Sequence, residues 1–268
     1  MHKLLLASAV LACSACTTAP VNTATNAAQA GRQYATTVKQ LNQFALDESL
    51  GFTANLLPQL PRQADVLQAQ TDAMRQRVAL VDSVAVQLDQ LSRYFELLNA
   101  VASGDDSVAT GKALGQLASG FKIASSSVGD GIGRLVANGH HSSQMAKVLQ
   151  RDAAPVSAAM QAVQAQLALE IGWTRANALA NQQAYWQSKI EGPYVEGKTL
   201  PASWKTAWID TLKTPDLEML LRDAQTATDH MVQAWHALLR GDENASATFT
   251  LVQGELADVE KRLKRVKP

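Results

Sequence analysis

PRQADVLQAQTDAMRQRVALVDSVAVQLDQLSRYFELLNAVAS, residues 61–103, decides the fold class. Leu67, Met74, Val81, Leu88 and Phe95 recur every seven residues, and Val84, Leu91 and Leu98 fall between them. Such a three-four alternation gathers apolar side chains on one stripe of an α-helix, which must be buried against other helices. The stretch predicts one helix of about 60 Å at roughly 1.5 Å per residue. Gln70 and Arg77 occupy the intermediate positions in its first half, so the seam is expected to be polar and looser there. Gly104 suits the left-handed C-terminal position, and Asp105 or Asp106 can cap the helix that follows.

The same period returns on both sides. Tyr34, Val38, Leu41 and Ala45 mark a first helix over residues 27–57, ended by Pro58 and Pro61, with Pro61 suited to the first turn of the second. Val156, Met160, Val163, Leu167, Ile171, Thr174 and Ala178 mark a long third stripe that continues toward Tyr185 and Ile190, with Pro155 in its first turn or at a kink. Near the C-terminus, Leu217, Leu221, Ala224, Thr228, Met231, Trp235 and Leu238 precede a Gly241-Asp242 turn, and Phe249, Val252, Leu256, Val259 and Leu263 follow it. Alternating β-branched runs are missing, so the fold class is all-α: an elongated antiparallel bundle of about five or six coiled-coil-like helices over residues 27–268. Two stretches rich in Gly or Pro, residues 104–139 and 191–215, are expected to be irregular.

The N-terminus is of a different kind. Met1, His2 and Lys3 lead into an apolar run over residues 4–12, and Ser14-Ala15 directly precede Cys16. Nine apolar residues reach only about 14 Å as a helix, short of the roughly 30 Å hydrocarbon core. A basic start, a short apolar run and small residues before a cleavage point are the parts of a secretory signal. At Cys16 they resemble the lipobox of bacterial lipoproteins, cut by a signal peptidase II-type enzyme just before a cysteine that carries lipid. The resemblance covers only the first sixteen residues. It implies removal of residues 1–15, acylation of Cys16, a flexible tether over residues 16–26, and, because Thr17 rather than Asp follows, the periplasmic face of the outer membrane. Cys13 stands where such boxes usually carry an aliphatic residue and, with Val10-Leu11-Ala12 before it, is a competing site.

No cysteine follows position 16, so the mature chain forms no disulfide within itself and depends on packing. Twenty-four basic residues balance twenty-four acidic ones, which argues against nucleic acid as a partner. Gly129-Asp130-Gly131-Ile132-Gly133 lacks both a preceding strand and the Gly-Lys-Ser of a phosphate loop, while Gly111, Gly115 and Ser119 suit close helix packing. His140-His141 are adjacent and His230 and His236 are six apart, spacings that make no metal site. No catalytic residue, metal or cofactor is expected.

What remains is a surface. All five tryptophans lie between positions 173 and 235, and Trp204 and Trp208 are one helical turn apart in the Gly/Pro-containing stretch with Tyr194. Exposed aromatic groups of this kind anchor partner proteins or stack on sugar rings, and otherwise cap a core. Tyr194, Trp204 and Trp208 are the candidate partner-binding residues. The expected role is a lipid-anchored periplasmic protein acting through protein-protein contact, as an adaptor or an immunity-type inhibitor of a toxin. The alternatives are a membrane-active helical protein using residues 104–139 and, further off, a peptidoglycan-binding or glycan-cleaving enzyme using Glu191 and Glu196. Cys16→Ala is expected to leave the protein folded but unattached to membranes; metabolic labelling with a fatty acid checks it, and labelling retained in the variant moves the anchor to Cys13.

Overall fold

The structure, a computed structural model, describes residues 18–104, 108–121, 143–197, 199–213 and 216–266. Cys13, Cys16, Asp105, Asp106, residues 122–139 and His140-His141 lie outside the described residues. Regular structure among the described residues is entirely helical: α1 (Thr18–Leu56), α2 (Ala64–Ala102), α3 (Val108–Gly120), α4 (Ser143–Tyr185), α5 (Trp204–Lys213), α6 (Leu217–Arg240) and α7 (Ala245–Val266). The fold is all-α. A π-helical turn, Trp186–Glu191, and a last α-turn, Gly192–Val195, extend α4 without interruption.

The seven helices among the described residues exceed the expected five or six, and one forms within each stretch read as irregular, the first of them where a helix was expected to follow Gly104. In the first, α3 uses Gly115 as a packing notch: a Cβ there would fall 2.9 Å from the Arg151 guanidinium. Leu114 and Ala118 are buried beside it. Helix α1 begins at Thr18, so residues 18–26 are helical where a flexible tether was expected. The cause is burial, since Ala24 belongs to the core and Asn26 hydrogen-bonds the Ser246 hydroxyl at 2.7 Å. Pro61 lies in the connection before α2, three residues ahead of the helix, rather than in its first turn. Pro155 sits inside the continuous α4.

The helix stops follow the glycines. Gly104 and Gly241 both take positive φ, 95° and 70°. After α6, the Asp242 amide donates to the Ala237 carbonyl and the Gly241 amide to that of Leu238, the paired closure of a left-handed C-terminal cap.

The chain divides into two compact units, and α1, α2, α4, α6 and α7 each contribute to both. The first comprises residues 1–36, 87–163 and 227–254. Its core centres on aromatic rings meeting edge to face: Tyr94 with Phe95, Phe121 and Trp235, and Phe95 with Trp235, at centroid distances of 5.6–6.4 Å. Trp235 is fully buried, and its indole N–H donates to the Ser157 hydroxyl at 3.1 Å. In this unit α1 and α7 lie side by side in the same direction, since Asn26 reaches Ser246 and Gln33 reaches the Gln253 carbonyl. Burial pushes the Tyr34 phenol well above its ordinary value.

The second unit comprises residues 37–86, 164–226 and 255–268. Val38, Leu41, Ala45, Leu167, Leu221, Leu256 and Val259 form its core. On α2 burial begins only at Val81, while Leu67 is exposed and Met74 half-buried, as the polar seam foretold. Arg77 turns inward to an ion pair with Glu170, and its guanidinium lies 3.8 Å from the centre of the Trp173 ring. Gln166 donates to the same carboxylate at 3.3 Å. Burial outweighs the attraction between the two charges, raising the Glu170 pKa and lowering that of Arg77. The pair is therefore a cost that each partner makes bearable for the other. Arg77→Met alone is expected to lower stability by about 3–5 kcal/mol by stranding the carboxylate, and Arg77→Met with Glu170→Leu to restore it; urea unfolding of the three proteins measures both.

Candidate functional site

The site is built from the last turns of α4 and the helix that follows. Pro193 has no amide hydrogen to give the Lys189 carbonyl, so the α-helical ladder is broken at that point. The Gly192 amide instead reaches back to Gln187 O, and the helix widens into its π turn over Trp186–Glu191. Gly197, at φ 67°, ends the run. The chain then bends through Pro201, whose carbonyl accepts the Trp204 amide at 2.9 Å, and enters α5.

These two segments bring the three predicted aromatic residues together. Tyr194 stacks on Trp204 with ring centroids 5.7 Å apart and planes 20° from parallel. Trp204 stacks in turn on Trp208, at 6.3 Å and 5°. The middle ring is fixed: its indole N–H donates to the Ile190 carbonyl at 2.9 Å, and Ile190 itself is buried. The outer rings are not capping a core. Tyr194 is 66% exposed and Trp208 39%.

The same segments expose further apolar side chains. Val195 is 73% exposed and Leu212 64%, the latter one turn beyond Trp208 on α5. Trp186, in the π turn, is also exposed. Sequence reading missed Trp186, Val195 and Leu212, because an apolar residue at helical spacing ordinarily faces a core. The Gly192-Pro193 pair was the signal for the widened turn. Chemically the face offers flat aromatic surfaces already held in place, with little side-chain entropy left to lose on contact.

The second unit also has a recess. Leu50, Thr53, Leu57, Met74 and Val78 line an open, largely apolar cleft of about 360 Å³ between the end of α1 and the start of α2. It occupies the part of the α2 seam where Gln70 and Arg77 replace apolar residues. Glu191 and Glu196 are exposed at the end of α4. Among the described residues there is no group of three or more His, Cys, Asp or Glu that could hold a metal ion, and no helix long and apolar enough to cross a membrane.

The chain matches no protein-family model, no curated protein and no solved structure. The site therefore has to be read from its own geometry. Trp204→Ala removes two ring contacts worth about 0.5–1.5 kcal/mol each and a hydrogen bond worth about 1 kcal/mol. It is expected to destabilise the protein by about 2–4 kcal/mol, and Tyr194→Ala, which loses one contact, by no more than about 1.5 kcal/mol; equal losses in urea unfolding would show that the rings do not act as a stack.

Proposed function

We propose that the protein is a lipid-anchored component of the bacterial envelope, held by acylated Cys16 on the periplasmic side of the outer membrane, and that it works by binding another protein. The observation that carries this reading is the exposed aromatic face of the second unit. Aromatic side chains are concentrated in the energetically dominant centres of protein interfaces, where large, flat and rigid groups exclude water at small entropic cost. A face that leaves Tyr194, Val195 and Leu212 each more than 60% exposed gains from a protein cover. The stack supplies fixed aromatic rings, and the same segments supply exposed aliphatic side chains.

The lipobox supports the location, and the near-balanced charge supports recognition through shape and apolar contact rather than through bulk electrostatics. Two roles fit a tethered binder of this kind: an adaptor within an envelope assembly, and an immunity-type inhibitor that occupies a toxin arriving in the periplasm. Neither requires a reaction at the site.

A photoreactive residue placed at 194 or 208 in the intact lipoprotein, crosslinked in its native envelope, is expected to capture the same protein from both positions. The Trp204→Ala background should reduce that capture at least tenfold, and the purified captured protein should bind the untagged lipoprotein in solution. Failure of both positions to yield a common, stoichiometric partner would count decisively against a protein-binding role for this face.

A further inference from the structure

Gly192 is the residue on which the aromatic face turns. Its amide closes the π turn on Gln187 O, and it leads directly into Pro193 and Tyr194. A Cβ at position 192 would fall 2.8 Å from that same Gln187 carbonyl oxygen. The obstacle is backbone, so no side-chain rotation relieves it. Any residue other than glycine has to push the carbonyl away, and the carbonyl is the acceptor of the bond that defines the widened turn. Glycine here answers a close approach rather than a need for unusual φ, since its own backbone is ordinary right-handed helix, at φ −54° and ψ −58°.

The widened turn has a rotational consequence. A π turn accommodates about one residue more than an α turn, so everything after it is rotated by roughly one residue's worth, about 100°, relative to an uninterrupted α-helix. Tyr194 comes two residues after Gly192. Its place over Trp204 depends on that rotation, while Trp204 is held separately by the Ile190 carbonyl within the same turn. Both halves of the stack are thus indexed to residues 186–192.

We propose that Gly192 is the positioning residue of the aromatic face: by admitting the π turn it rotates Tyr194 onto Trp204. Its functional weight rests on the reading of this face as the partner surface, but its structural role does not. Such turns recur at functional sites in other helices, where one extra residue re-aims a side chain that a regular helix would point elsewhere.

The experiment uses the full chain with Gly192→Ala and, as a second variant, Gly192→Ala with Ser188 deleted. Ser188 is an exposed residue of the π turn. Removing it lets the six-residue turn close as an α turn while keeping the downstream register. The readouts are the circular-dichroism exciton signal of the stacked rings, total helical signal, and crosslinking from position 194. Gly192→Ala is expected to lose most of the exciton signal and at least tenfold in crosslinking while keeping its helical signal, and the deletion is expected to restore both. A substituted protein that retains the full aromatic signal would overturn the proposal, as would a deletion that fails to restore it. Loss and recovery of the aromatic signal with unchanged crosslinking would support the positioning role and remove the partner-binding reading, so the two failures are distinct. If Gly192→Ala alone does not fold, the double variant is compared with the parent protein directly, and an unfolded double variant overturns the proposal.

Discussion

The first unit depends on one close approach, that of α1 to the Phe95 ring. Gly31 faces the ring so closely that a Cβ would lie 2.3 Å from it. With no side chain at that point, the backbone of α1 and the ring of Phe95 share a space that larger residues would hold apart. Phe95 then meets Trp235 edge to face, and Tyr94 contacts both. The approach of α1 to α2 follows from this contact, and Ala24, Ala27, Ala28 and Ala30 of α1 are buried in the same unit. Close packing of this type tolerates neither an added methyl group nor a lost ring without strain or a cavity. A chain with no cysteine after position 16 draws its uniqueness from such contacts.

The second unit is organised differently. Its buried set includes Thr37, Asn42, Ser49, Thr53, Gln166, Glu170 and Thr174 alongside the aliphatic core. Several of these satisfy themselves locally: the Ser49 hydroxyl donates to the Ala45 carbonyl and that of Thr53 to Ser49, while Thr37 donates to Glu260 at 2.7 Å. Arg77 and Glu170 neutralise each other inside the seam. Arg262 with Asp223, at 2.6 Å, and Arg175 with Glu218, at 3.4 Å, tie helices together nearer the solvent. Polar groups fix register more strictly than they add stability, because each demands a particular partner at a particular distance. Among the described residues, the unit that carries the aromatic face also has the more polar interior.

Much of this was legible in the residues. The stripes of α1, α2, α4, α6 and α7 could be read because period is a property of sequence alone, and Tyr34, Leu88, Val156, Met231 and Leu256 are all fully buried where the pattern placed them. Gly104 and Gly241 could be read because a left-handed stop needs glycine. The start of α3 was legible in the Gly104 stop, although its glycines blurred its extent, while the prolines flanking α5 masked a segment that is helical. The inward turn of Arg77 was hidden because its partner, Glu170, is 93 positions away in the chain. The candidate face was half legible. Two tryptophans one turn apart marked it, but the stacking of Tyr194 follows the π turn, where Pro193 withholds an amide hydrogen and the Gly192 amide reaches back to Gln187 O.

The distribution of indoles has an experimental consequence. Trp235 is the sole tryptophan of the first unit, enclosed on all sides, while Trp173, Trp186, Trp204 and Trp208 all belong to the second. Each unit thus carries its own indoles, in different surroundings. Emission from Trp235 in a chain whose other indoles are phenylalanine reports the melting of one unit alone, and the difference from the parent reports the other. Whether helices shared by both units make them melt as one body thus becomes a question of colour and intensity, answerable by fluorescence without any attached dye.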